Sequence, residues 1–349
     1  MINRLSTFPI HPAAIQYRDS ESIEALARDE VGLDCQKIGI SREGNPVYGF
    51  TFGAGSKMVS ITAGCHADEP IGPMTAQCLY WHLRDHFAEL LELFTFKVVP
   101  NINPDGTLRN DTWFSNPLKL HTYMNHVIRE LPGDDIEFGF GSDGDERPEC
   151  VAAQSFFGDY GPYAAHFSLH GLGTAEGAWC LICKEWQERA RGYMSDFAAL
   201  CEAVDFPQHD IDRKGDKGFY RIGKGYTTTP HSEPMKQFFL DKNDPETAAK
   251  FNPTSMQYIQ SLGGDPLCIV SELPLFHIGL KSPDLDNLTT AAVKEELTLI
   301  RAKRPEICKA DLLEVCERFQ VQPSPLDLQI RLQTGMIVLA LKQVLESSD

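Results

Sequence analysis

The chain has 349 residues, 42% of them hydrophobic and 23% charged, an ordinary composition for a globular protein with a sizeable core. Its 49 acidic against 32 basic residues leave a formal charge of −17, which argues against nucleic acid or an anionic membrane as the main partner. The opening MINRLSTFPIHPAAIQ has no continuous apolar leader, and no stretch approaches the ~20 apolar residues of a membrane span. The ten cysteines show no paired spacing, so they read as free thiols in a reducing, cytoplasmic setting.

In chain order, ESIEALARDEV (21–31) has helical spacing and stops at Gly32. The next stretch alternates apolar and polar residues around Glu43-Gly44-Asn45-Pro46, which predicts a hairpin. KMVSITAG reads as a buried strand. PIGPMTAQCLYWHLRDHF reads as a helix opened by prolines, and FTFKVV as a strand ending in Pro and Asn punctuation. Residues 104–148 read as loop, followed by a helix around ECVAAQSFFGDY. YAAHFSLHG predicts a strand that stops at His170-Gly171. EWQERARGYMSDFAALCEAV predicts a long helix, residues 205–255 look irregular, and PLCIVSELP predicts a strand ending at Glu272. After 285 the pattern is helical, without a chemistry-bearing cluster. This alternation predicts an α/β fold, a largely parallel sheet flanked by helices on both faces, with function at the carboxyl ends of the strands. The expected division is a catalytic domain over 1–284 and a helical extension over 285–349, packed on that domain or dimerising it.

A chain of this size needs no metal to fold, so a metal site would serve chemistry. His66, Asp68 and Glu69 follow the strand KMVSITAG in one turn, where His66 and Glu69 can converge. A second His-x-x-Glu, His86 to Glu89, falls on a helix and reads as surface. His82 and His86 are spaced for zinc, but Leu83 stands where a His-Glu-x-x-His motif would carry its base. Cys180 and Cys183 form a lone CxxC without the second pair a zinc ribbon requires. A catalytic zinc takes three protein ligands and keeps a position open. His170, also predicted at a strand end, is the best third ligand.

The ordered series IGISREGNPVYGFTFG, ITAGCHADEPIG, VVPNINPDG, HFSLHG and IVSELP resembles the zinc carboxypeptidases of the funnelin type, over roughly residues 15–280. The resemblance implies a twisted mixed sheet between helices and a zinc ion held by His66, Glu69 and His170, with a second metal near Asp68 left open. It also implies Glu272 as general base and Asp135 as the partner that fixes the first histidine. It requires an arginine for the oxyanion, with Arg109 the first choice and Arg129 the second. It requires a tyrosine as well, with Tyr226 or Tyr220 in that role.

Glu137-Phe138 occupy the place of the Asn-Arg pair that grips a substrate carboxylate in that family. Glu137 then either attracts an amine in the substrate or faces solvent, and Arg213 or Arg221 is a replacement clamp. The implied activity is zinc-dependent amide hydrolysis of a peptide. The rivals are a deacylase of N-acyl amino acids, of the succinylglutamate desuccinylase or aspartoacylase type, and a metal- or peptide-binding protein without catalysis.

Overall fold

The computed structural model describes residues 1–115, 118–141, 147–229, 231–281, 288–303 and 305–347. Their sheet has ten strands: β1 (Leu33–Ile40), β2 (Pro46–Phe52), β3 (Lys57–Ala63), β4 (Phe94–Val99), β5 (Tyr163–Ala175), β6 (Trp179–Ile182), β7 (Arg221–Gly223), β8 (Tyr226–Thr228), β9 (Leu267–Ile278) and β10 (Val321–Pro323). The order is β1-β2-β4-β3-β5-β9-β6-β8-β7, with β10 pairing β9. The centre, β4-β3-β5-β9, is parallel, while the β1–β2, β2–β4, β9–β6, β9–β10 and β7–β8 pairings are antiparallel. The mixed sheet expected from the sequence is therefore present, with helices on its faces.

β5 and β9 are longer than their sequences suggest. Pairing of β3 with β5 ends at Ala63 opposite Leu169, but β5 continues to Ala175 and β9 to Ile278. His170 and Glu272 thus lie inside strands, directly opposite one another in the β5–β9 register. His170 is the first residue of β5 beyond the end of β3, so it borders the gap that β3 leaves.

Two regions read as loop contain helices. The helix Pro104–Phe114 starts where the Asn103 side chain accepts the Gly106 N–H, with Pro104 at its first position. The helix Leu120–His126 follows it. Between 205 and 255 the chain forms β7, β8 and the helices Ser232–Asp241, Pro245–Ala249 and Ser255–Ser261. The last helix carries a capping box between Thr254 and Gln257. β6, read in the sequence only as a cysteine pair, pairs with β9 and β8.

The C-terminal helix Leu326–Glu346 packs on the helices Ile71–Ala76 and Arg191–Ala203 and on β5 and β9. Ile330, Met336 and Ile337 on it are buried in the same apolar core as Ile61, Phe167 and Ile269 of the central strands. Burying one such side chain contributes about 1.5–3 kcal/mol. No helix of the described residues is long and apolar enough to cross a membrane.

Candidate metal centre and its cavity

The stretch HADEPIG leaves β3 through Gly64, whose φ of +77° lies in the left-handed region; a side chain there would meet Asn101. The buried helix Ile71–Ala76 then crosses β5 so closely that a Cβ on Gly72 would lie 2.1 Å from the Leu169 carbonyl oxygen. That approach sets the turn 65–70 against the segment of β5 that bears His170. Neighbouring hydrogen bonds hold the turn. Glu130 accepts the Ala67 N–H at 3.1 Å, and the Asn110 amide donates to the Ala67 and Ile128 carbonyls, each at 2.9 Å. Asp105 of the NPDG segment accepts from Ser41 and, at 2.8 Å, from the Asn45 amide, and so fastens the β1–β2 hairpin to the same framework.

Three side chains far apart in sequence converge here. The Nδ1 atoms of His66 and His170 are 3.1 Å apart. Each lies 2.8 Å from a different oxygen of Glu69. These groups can hold a metal ion, and two imidazole nitrogens with a carboxylate oxygen are a donor set suited to catalytic zinc. Glu69 is buried, yet His66, His170 and Arg129 outweigh its desolvation and hold its pKa well below the ordinary range. Burial opposes a charge on His170, but Glu69 and its other partners overcome this and keep its pKa well above the usual value.

Glu272 lines the same cavity. Burial first, then the charge of Glu69, push its carboxyl up to about 8. Its Oε2 is buried and makes no hydrogen bond within the described residues, an orphaned atom that fits a site built around a further ligand.

The expected second-rank residues fall in different places. Asp135 is buried in the cavity wall near enough to His66 to feel its charge, and its Oδ1 accepts the Phe138 N–H at 3.3 Å. Glu137 neither faces solvent nor stands free for substrate. Its Oε1 accepts from Ser255 at 3.1 Å, while its Oε2 accepts from Ser168 at 3.1 Å and lies 3.3 Å from His170 Nε2. It braces His170 from the side opposite the metal-facing nitrogen. Desolvation works against its charge, but His170 and the other donors bring its pKa down to about 2.

Arg109 is displaced from the site. The helix Pro104–Phe114 carries it to the surface, where it pairs with Glu43 and remains 45% exposed. Arg129 stands in its place, with Nη1 donating at 2.9 Å to both Asp68 and Glu69. Nearly half of the Arg129 side chain stays open to solvent, although its guanidinium sits among carboxylates. Asp68 is thus spent on a cation. Among the described residues a second three-residue group able to hold a metal, Cys65, Glu137 and His170, shares His170.

Tyr226 is buried outside the cavity, donating its hydroxyl to the Met194 carbonyl at 2.9 Å, and Tyr220 is 59% exposed. Arg221 pairs with Asp210 at 2.9 Å, whereas Arg213 reaches the cavity wall. His82 is a buried core histidine whose Nε2 accepts the His11 N–H at 3.0 Å, while its Nδ1 has no hydrogen-bond partner among the described residues. Cys180 and Cys183 are free, buried thiols.

The sequence reading overlooked two residues. Gln333, on the C-terminal helix, donates to the His170 carbonyl at 2.8 Å and to Ser271 Oγ at 2.9 Å, and accepts from Thr75 at 2.6 Å. It joins β5, β9 and the helix after the metal turn. Its signal in the sequence is a glutamine pair, Gln329 and Gln333, four apart and so on one face of the helix. Lys294, on the helix Leu288–Lys303, lines the cavity near Glu272 and has no comparable signal.

A mixed sheet that brings a His–Glu–His cluster and a carboxylate to one cavity defines a metallocarboxypeptidase-like fold. Residues 21–138, about a third of the chain, match the family model of zinc carboxypeptidases. An inactive metallocarboxypeptidase, ECM14, of Uncinocarpus reesii is 28% identical over 144 residues, which are 36% of this chain and 24% of that protein. The chain thus spans about a quarter of the length of that curated relative. Among solved structures, a metallo-carboxypeptidase from Burkholderia cenocepacia superposes with a TM-score of 0.54 at 14% identity, covering 93% of this chain and 67% of that one. Carboxypeptidase A from Helicoverpa armigera gives 0.54 at 13% identity, with 96% and 76% covered. These likenesses speak to the fold.

Proposed function

We propose that the protein is a zinc-dependent hydrolase that cleaves an amide bond in a peptide. In this reading His66, Glu69 and His170 are the ligands, Glu272 moves the proton, and Arg129 faces the developing oxyanion. The observation that carries it is the meeting of His66, Glu69 and His170 within ligand reach, with the buried, unpartnered Glu272 oxygen in the same cavity.

Bound there, zinc supplies a Lewis acid and brings a water's pKa near ~7. With the metal held by His66, Glu69 and His170, Glu272 would take a proton from the attacking water as the water's oxygen adds to the amide carbon. Arg129 has guanidinium N–H groups beyond the one given to Asp68 and Glu69, and these face the negative charge that develops on the carbonyl oxygen. As the C–N bond breaks, Glu272 would return the proton to nitrogen, giving a carboxylic acid and an amine, and the acid then loses its remaining proton to the amine or to solvent. Glu137, Ser168 and Gln333 hold His170 in place throughout.

A second reading has one specific support: the curated relatives carry the name inactive metallocarboxypeptidase. In that reading the cluster binds metal and peptide without turnover. Zinc-loaded protein incubated with a peptide series and with N-acyl amino acids separates the possibilities. Release of amino acids from peptides supports the peptidase, and release from N-acyl amino acids alone supports a deacylase. Peptide binding without any hydrolysis supports the non-catalytic reading.

A further inference from the structure

The cavity has a volume of about 390 Å³, room for one or two residues of a substrate, and its walls differ in charge. One wall carries Glu272, Glu137, Asp135 and the two histidines that lie against Glu69. Arg213, Lys217 and Lys294 come to the cavity from elsewhere: two from the segment before Phe219 and one from the helix Leu288–Lys303. With Arg129 they make four cations in the cavity, as many as its four acids, Glu130, Asp135, Glu137 and Glu272, although the chain as a whole has 49 acids to 32 bases.

Two of these cations are braced on aromatic faces. Arg213 lies 4.1 Å from the centre of the Phe219 ring, and Lys217 lies 4.3 Å from that of Phe238. Arg213 also pairs with Asp216 at 2.8 Å. Among the described residues, Lys217 and Lys294 have no acidic partner within 4.0 Å. The charges fall into two centres. Lys294 feels Glu272, Arg129 and Arg213, which puts it beside the reacting groups. Lys217 feels Arg213, Asp216 and Lys242, which puts it further out. The charge of Arg213 acts on both lysines. The wall beside the metal turn offers no cation at residue 138, where Phe138 packs on Phe251 with ring centres 4.7 Å apart.

Two cationic centres, Lys294 in one and Lys217 with the Asp216-paired Arg213 in the other, fit a ligand with two separated negative charges. We propose that the residue released by hydrolysis is a dicarboxylic amino acid, glutamate or aspartate. Its α-carboxylate faces Lys294, and its side-chain carboxylate faces Arg213 and Lys217. This rests on the hydrolase reading for the scissile bond but not for the binding of the acid. Electrostatic complementarity of this kind raises both affinity and the rate of encounter, and it weakens with salt.

The test uses zinc-loaded full-length protein and substrates sharing one acyl group, with Glu, Gln, Leu or Lys as the released residue. The expected kcat/KM for Glu exceeds that for Gln by about tenfold or more, since a carboxylate paired with cations is exchanged for a neutral isostere. K217E and K294E each shrink that ratio towards one, and circular dichroism and zinc content verify that each variant folds and loads metal. Equal cleavage of Glu and Gln substrates would overturn the proposal while leaving the hydrolase reading standing. If nothing is cleaved, calorimetry of the same zinc-loaded protein with N-acetylglutamate and N-acetylglutamine decides. Tighter binding of the acid upholds the subsite although hydrolysis fails, and equal or undetectable binding of the two overturns it.

Discussion

The two walls of the cavity are built differently. The ligand wall is made of strand and turn residues locked by buried hydrogen bonds: Glu137 behind His170, Gln333 across β5 and β9, and Asn110 and Glu130 around Ala67. The opposite wall is made of Arg213 and Lys217, on irregular chain before β7, and Lys294 on a helix remote in sequence. On the proposed function, the difference would separate chemistry from selection. Groups that must meet a metal within tenths of an ångström need a rigid second layer, whereas charges that choose a substrate act over several ångströms and tolerate a softer mounting.

The most severe way to break the ligand wall is Glu272→Gln. It leaves all three ligands in place, so zinc content should be unchanged while hydrolysis falls by about 10²–10⁴-fold. A loss below tenfold would remove Glu272 from the proton-transfer role. Glu137→Gln tests the brace instead. A neutral amide cannot hold His170 as a carboxylate does, and zinc affinity should weaken by about 10–100-fold in competition with a chelator. An unchanged affinity would make Glu137 a bystander.

The pH dependence of metal loading sharpens the same contrast. His170 has its pKa raised by Glu69 in the metal-free protein, so the stabilising pairing is complete below the ordinary histidine value and is lost as pH rises through the raised one. A metal must displace that proton. Zinc affinity should therefore rise by about tenfold per pH unit while one proton is released, and calorimetry in buffers of different ionisation heat should detect it. Affinity flat from pH 6 to 8 would contradict the protonated pairing.

Much of the ligand wall was legible in the sequence. His66 and Glu69 are three apart in a turn, and His170 and Glu272 each punctuate an apolar run, so local pattern and family resemblance both reach them. The opposite wall and the braces were not legible. Arg109 looked well placed because the segment after NPDG read as loop. The helix that Asn103 and Pro104 start there turns it outward, and Arg129, from a segment with no strong pattern, takes the inner position. Glu137 reads in the sequence as a substrate-facing acid, whereas its environment depends on Ser168 and Ser255, which only the fold brings near. Lys294 and Gln333 lie in helices whose periodicity reports burial and nothing about a site tens of residues away.

Smaller effects follow from the residues that tie the walls to the core. Gln333→Leu would leave the His170 carbonyl, Ser271 and Thr75 without their shared partner, at a cost of about 1–3 kcal/mol in the urea midpoint. An unaltered midpoint would mean that water replaces the amide. Arg109→Ala should change least. It removes one exposed ion pair worth less than about 1 kcal/mol and should leave turnover at the wild-type level. A marked fall in kcat would return Arg109 to the reaction.

The central claim is that His66, Glu69 and His170 hold one metal ion with Glu272 beside it, and anomalous diffraction from crystals grown with zinc tests it most directly. The predicted result is a single strong peak bounded by the Nδ1 atoms of both histidines and a Glu69 oxygen, with the Glu272 carboxylate facing its open side. A peak elsewhere, or none at this cluster at saturating zinc, would contradict the account.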